Sequence, residues 1–155
     1  MYAHDALGFG TLICLDGASA DHGALGDVAV ARRVVADLIA TVEGENVEAL
    51  PGTVVIVDHG EDGHSAALVH GESSIALHAF KALRSVTLQF FSVRDVPLSR
   101  TTKQFLEAYR VGRFQSSVRG RGLILPRDPQ VLTRLLRGER EYARLRVVPA
   151  ERVTL

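Results

Sequence analysis

The chain predicts an α+β fold, a two-layer α/β sandwich in which helices lie on one face of a mainly antiparallel sheet. Three observations carry this. Strand-like and helix-like segments follow one another in the order β-α-β-β-β-β-α-β. Two of the middle segments, Ser65–His70 and Ser73–Phe80, are separated only by a tight turn at Gly71. The segment near 28–42 repeats its apolar residues at three- and four-residue steps.

Each element has a local cause. Phe9 to Leu15 (FGTLICL) is apolar and closes on the turn residues Asp16-Gly17-Ala18-Ser19, which predicts a first strand. Asp27 is placed to cap a helix over Val28–Val42, whose inner stripe is Val28, Ala31, Val35, Leu38, Ile39 and Val42, and Gly44 stops it. Pro51-Gly52 leads into the β-branched run Thr53–Val57 (TVVIV), a strand. Residues 58–64, Asp-His-Gly-Glu-Asp-Gly-His, form a polar loop. Val86–Val93 is a further strand after the pair around Gly71. Pro97 breaks the pattern, and Ser99 or Thr101 opens a helix to about Arg110 with Phe105, Leu106 and Tyr109 inward. Phe114–Leu125 returns as a strand interrupted by Gly120 and Gly122. Pro126 and Pro129 mark a boundary, so residues 1–125 are expected as one domain and 126–155 as an extension with a short basic helix near Gln130–Arg137.

Composition excludes several classes. With 18 basic and 18 acidic residues the formal charge is zero, which argues against general nucleic-acid or membrane-surface binding. The single cysteine, Cys14, forbids an internal disulfide, fits a reducing cytosol, and is expected as a small core residue. No charged start followed by a long apolar run is present, so a soluble, cytoplasmic protein is expected. Six histidines raise the question of a metal, with His59, His64, Asp58 and Asp62 sharing one loop. No His-x-His or helical His spacing accompanies them, so no metal is expected. The basic C-terminal third and the acidic first 70 residues suit a subunit contact better than nucleic acid.

The segment richest in chemistry is Gly71-Glu72-Ser73-Ser74-Ile75-Ala76-Leu77-His78. A Glu-Ser dipeptide and a strand histidine are each ordinary. Together they are either an ordinary sheet strand or a Glu–Ser junction of the kind at which a proenzyme cuts itself. In an ideal strand, Ser73 and His78 point to opposite faces, so they cooperate only across a bend or bulge.

From Ser65 onward the residues S-A-A-L-V-H-G-E-S-S-I-A-L-H-A-F-K-A resemble, without a gap, the core of the small prokaryotic S-adenosylmethionine decarboxylases, which reads roughly S-G-V-V-V-I-S-E-S-H-L-T-I-H-T-W-P-E. A strand then ends in Ser92-Val93-Arg94 where the family has T-C-G, and the likeness fades beyond about residue 112. The resemblance implies a proenzyme that cleaves itself between Glu72 and Ser73 and turns Ser73 into a pyruvoyl cofactor. That group takes the substrate amine as a Schiff base and acts as an electron sink when CO₂ leaves. The family's processing serine falls on Ser65 and its processing histidine on His78. The resemblance further implies a role in polyamine and spermidine biosynthesis and a homodimer of cleaved protomers.

The chain departs from this pattern at the substrate side. The family's proton-donating cysteine aligns with Val93, and a valine donates no proton. The histidine after the processing serine is Ser74, and the H-T-W-P-E stretch becomes His78-Ala79-Phe80-Lys81-Ala82. His59 and Phe80 remain as an aromatic clamp for a small-molecule substrate such as S-adenosylmethionine. The carboxylates Asp58, Glu61 and Asp62 would suit the cationic end of arginine or ornithine, the alternative substrates. A non-catalytic regulatory paralogue is a second class of reading, and an unrelated α+β binding module a third.

Overall fold

The computed structural model describes residues 10–44, 53–121, 128–131, 133–135, 137 and 138. The chain divides into two compact units, Phe9–Gly122 and the pair Met1–Gly8 with Leu123–Leu155. In the second unit the described residues from 129 to 138 are helical, and Asp128 opens them by accepting the N–H groups of Gln130 and Val131. This agrees with the basic helix expected near Gln130–Arg137. Phe9, the Pro51-Gly52 lead, the expected continuation of the last strand over Gly122–Leu125, the boundary at Pro126 and the tail after 138 lie outside the described residues.

The first unit contains β1 (Gly10–Ala18), α1 (His22–Gly26), α2 (Val28–Glu43), β2 (Val55–Asp58), β3 (Gly63–His70), β4 (Ser73–Phe80), β5 (Ser85–Ser92), α3 (Leu98–Tyr109) and β6 (Arg113–Arg121). The strands form one open sheet in the order β2-β3-β4-β5-β1-β6, and every neighbouring pair is antiparallel. The α+β sandwich predicted from the sequence is the fold observed. Helix α1 is an addition: it has only five residues, two of them glycine, and its start is held by Asp21, which accepts the Ala24 N–H. Helix α2 begins where expected, with Asp27 accepting the Ala29 N–H, and ends at Gly44 in the left-handed conformation.

Alternation divides the sheet into two faces. Ile13, Leu15, Ala66, Leu68, Ile75, Leu77, Val86, Leu88 and Phe90 are buried on the inner face, where α2 and α3 pack. A fully buried side chain of this size contributes ~1.5–3 kcal/mol, so this layer is the main support of the fold. The buried stripe of α2 is wider than its sequence suggested. Val34, Ala36 and Ala40 are also covered, and α3 lies along the Val34 flank and brings Phe105 and Tyr109 into the same core.

The outer face carries Leu12, Ala67, Val69, Ser74, Ala76, Gln89 and Phe91, which line a shallow apolar groove. Cys14 also points there, half-buried and alternating with Ile13 and Leu15. The expectation that it belongs to the core is corrected by this alternation. A second correction concerns His64. It is not in a loop but on β3, 1% exposed and facing the core opposite Asp58. Among the described residues no helix is long and apolar enough to cross a membrane.

Candidate active site

Ser73 is the first residue of β4 and lies on the inner face, 2% exposed. It follows the two-residue turn Gly71-Glu72, which joins β3 to β4 with His70 opposite Ser73. Gly71 has a φ of +57°, the sense that a tight hairpin turn demands and that glycine supplies without a steric cost.

The turn is clasped by the end of α2. The Ser73 hydroxyl donates to Glu43 Oε1 at 2.6 Å, and the Glu72 N–H donates to the same oxygen at 3.1 Å. Arg94 Nε lies 3.1 Å from Glu43 Oε2 and 3.2 Å from Glu72 Oε2. The Glu43 side chain is only 4% exposed, so its charge is compensated by these donors rather than by bulk water. Since Ser73 gives its one proton to Glu43, Ser92 must donate to Ser73, at 2.8 Å. Ser92 in turn accepts the Arg94 N–H at 3.0 Å. The result is an aligned chain of donors ending on a carboxylate, an arrangement in which each bond polarises the next. The carbonyl oxygen of Glu72 accepts the Val93 N–H at 3.2 Å. A buried hydroxyl, a proton-accepting carboxylate and a donor on the adjoining carbonyl thus meet at the Glu72–Ser73 peptide.

Ser65, His78, His59 and Phe80 form a separate group. Ser65 and His78 are cross-strand partners on the outer face of β3 and β4, with Ser65 Oγ 2.8 Å from His78 Nδ1. His59 Nε2 lies 3.0 Å from the same hydroxyl. One hydroxyl proton serves two imidazoles, so one ring accepts and the other donates. Phe80 stacks on His78 with ring centroids 6.5 Å apart.

β4 pairs continuously from Ser73 to Phe80 on both sides, without the bend or bulge that cooperation with His78 requires. The two residues therefore stand on opposite faces and about 17 Å apart along the strand, from five residues at ~3.4 Å each. Within one chain, Ser65 and His78 do not reach the Ser73 junction.

The acidic loop lies at the His78 end as well. Asp58 Oδ1 accepts the Gly60 N–H, Glu61 faces solvent 3.8 Å from Lys81 Nζ, and the Asp62 carbonyl accepts the Lys81 N–H. None of the three carboxylates is near Ser73. Among the described residues no three His, Cys, Asp or Glu side chains converge as a metal site. Burial pushes the His64 imidazole below its ordinary pKa, against the opposing pull of Asp58 and Asp27. Val93 is part-exposed beside the junction and supplies only its backbone N–H.

Glu43 and Arg94 were not singled out in the sequence. The available signal was a carboxylate in the last turn of a helix, just before its glycine cap, where the helix dipole favours cations. A charge placed against that preference needs a partner, and Arg94 is that partner.

Fold and site together define an α+β sandwich with a buried, carboxylate-held serine at a hairpin turn. The crystal structure of the adenosylmethionine decarboxylase from Aquifex aeolicus VF5 is similar in fold, with a TM-score of 0.65, 14% sequence identity, and coverage of 79% of this chain and 98% of that one. No protein-family model matches the sequence. No curated protein matches it either.

Proposed function

We propose that this chain is a self-processing, pyruvoyl-dependent decarboxylase that cuts itself between Glu72 and Ser73. The observation that carries it is the junction: the Ser73 hydroxyl is buried and bonded to Glu43, while the Glu72 carbonyl accepts the Val93 N–H. The fold shared with an adenosylmethionine decarboxylase supports the same reading. Ser73 suits the origin of a pyruvoyl group, since its hydroxyl adjoins a polarised carbonyl and its neighbours Ser92 and Glu43 are polar enough to hold a ketone. A ketone at position 73 supplies an electron sink for loss of CO₂ from an amine-bearing substrate.

The residues of this chain then have distinct tasks. Glu43 and Ser92 position Ser73, and Arg94 balances the charge of Glu43 and Glu72. S-adenosylmethionine is the first substrate to test. Arginine and ornithine come second, with weaker support, because Asp58, Glu61 and Asp62 sit at the far end of the β3–β4 hairpin. A homodimer is part of the proposal, and the apolar outer face around Leu12, Val69 and Phe91 offers it a surface.

Intact-mass measurement of the purified chain tests the reading. Two fragments, 1–72 and 73–155, are expected, and Ser73→Ala should give one full-length species. An uncut wild-type chain after long incubation would sink it. That outcome would favour the second reading, a non-catalytic regulatory relative, which draws its support from Val93 in place of a proton-donating cysteine. If the chain is cut, CO₂ release from S-adenosylmethionine, arginine and ornithine separates the substrates.

A further inference from the structure

We infer that Glu43 is the proton acceptor and donor of the Glu72–Ser73 cut, a role that rests on the self-processing reading above. The resemblance in sequence points to Ser65 and His78 for processing, yet both lie on the other face of the sheet. Among the described residues, the group bonded to the Ser73 hydroxyl and able to take its proton is the Glu43 carboxylate, at 2.6 Å. That distance is in the range of a charge-assisted O–H to carboxylate bond. Ser92 acts as a donor to Ser73, and Arg94 carries a fixed positive charge.

The reaction sequence balances with these atoms and one water. Ser73 Oγ passes its proton to Glu43 Oε1 and bonds to the Glu72 carbonyl carbon, while the developing oxyanion keeps the Val93 N–H. The C–N bond of the junction breaks, and the Ser73 nitrogen leaves with the proton returned by Glu43. An ester between the Glu72 acyl group and Ser73 Oγ remains, next to a free amine. Elimination then passes the Ser73 Cα proton to the Glu43 carboxylate and breaks the Cβ–Oγ bond, releasing the Glu72 carboxylate and leaving a dehydroalanine at position 73. Return of that proton to Cβ gives an imine, and hydrolysis of its C=N bond by one water yields the ketone and ammonia. Glu43 Oε1 also accepts the Glu72 N–H, so the same carboxylate grips both sides of the bond to be cut.

The test compares wild type with Glu43→Gln, Glu43→Asp and His70→Gln, each as the full-length chain, by the rate at which fragments appear in mass spectra. Thermal melts serve as the fold control. His70 is included because it stands opposite Ser73 in the strand register. Glu43→Gln keeps the shape but loses the base. It should slow cutting about 100-fold or more, within the contribution of a positioned general base. Glu43→Asp should restore part of the rate, and His70→Gln should still cut. Added hydroxylamine traps an ester as a hydroxamate on Glu72; wild type should yield it and Glu43→Gln should not.

Cutting of Glu43→Gln at the wild-type rate, or hydroxylamine cleavage of it to the wild-type extent, would overturn the role of Glu43 alone. Loss of cutting in His70→Gln with retention in Glu43→Gln would do the same. If Glu43→Gln fails to fold, a folded Glu43→Asp that cuts like wild type under every condition would also count against it. A wild-type chain that never cuts overturns the parent reading, a distinguishable result.

Discussion

Replacing Gly71 by alanine should damage this protein far more than a surface methyl group normally does. A Cβ at this position would lie 2.5 Å from Glu43 Oε2 and 2.8 Å from Glu43 Cδ, and the backbone φ is +57°. The left-handed conformation alone costs a residue with a Cβ ~1–2 kcal/mol. To reach ordinary contact distance the carboxylate must withdraw by most of an ångström, which breaks its short bond to Ser73. Loss of one hydrogen bond to a charged group costs a further ~1.5–3 kcal/mol. The sum is about 2.5–5 kcal/mol, a large part of a typical stability of ~5–15 kcal/mol. Urea unfolding followed by circular dichroism would measure it in freshly purified, uncut chain, with an unchanged slope. The two parts separate in a Glu43→Ala background, where the clash is absent and Gly71→Ala should cost only the ~1–2 kcal/mol of the backbone term. A Gly71→Ala chain within ~0.5 kcal/mol of wild type, the range of a neutral surface change, would refute the clasp between α2 and the hairpin.

Three further perturbations have defined outcomes. Phe90→Ala should cost ~3–5 kcal/mol in urea unfolding, because the ring is fully buried between β1 and β4 and its removal leaves a cavity. Asp27→Ala should cost about 1 kcal/mol through loss of the cap on α2, and Asp27→Asn should restore most of it in the same assay. Stability should fall as pH drops through ~6.5, the ordinary histidine value. There the unfolded His64 takes up a proton that the buried native imidazole, with its lowered pKa, does not. The slope should flatten in His64→Leu, and an unchanged slope would show that another group governs this window.

Much of the fold was legible because its signals are local. The alternation of Ser73–Phe80 and Ser85–Ser92, the Asp27 cap and the Gly44 stop each depend on neighbours in sequence. One flank of α2 was hidden, since Val34 faces a helix more than fifty residues further on. His64 looked like loop chemistry because Gly63 and Asp62 precede it, whereas Gly63 already lies in β3, so close to β4 that a Cβ would strike the Ala79 carbonyl. The candidate site divided in the same way. Glu72 and Ser73 could be named from a dipeptide, and the opposition of Ser73 and His78 follows from strand geometry alone. Glu43 joins them only through tertiary packing, thirty residues from Ser73, and no periodicity announces that.

The strand order has one more consequence for a chain cut at its β3–β4 turn. Residues 1–72 would hold β1, β2 and β3, and residues 73–155 would hold β4, β5 and β6. In the sheet, β1 lies between β5 and β6, so a strand of the first piece is flanked on both sides by strands of the second. The two polypeptides would be interlaced and held by three separate seams, with no covalent link between them. Folding before the cut is unimolecular; reassembly after it is a second-order encounter of two incomplete sheets. The melting temperature of cut material should therefore rise with protein concentration, while that of an uncut Ser73→Ala chain, if monomeric, should not.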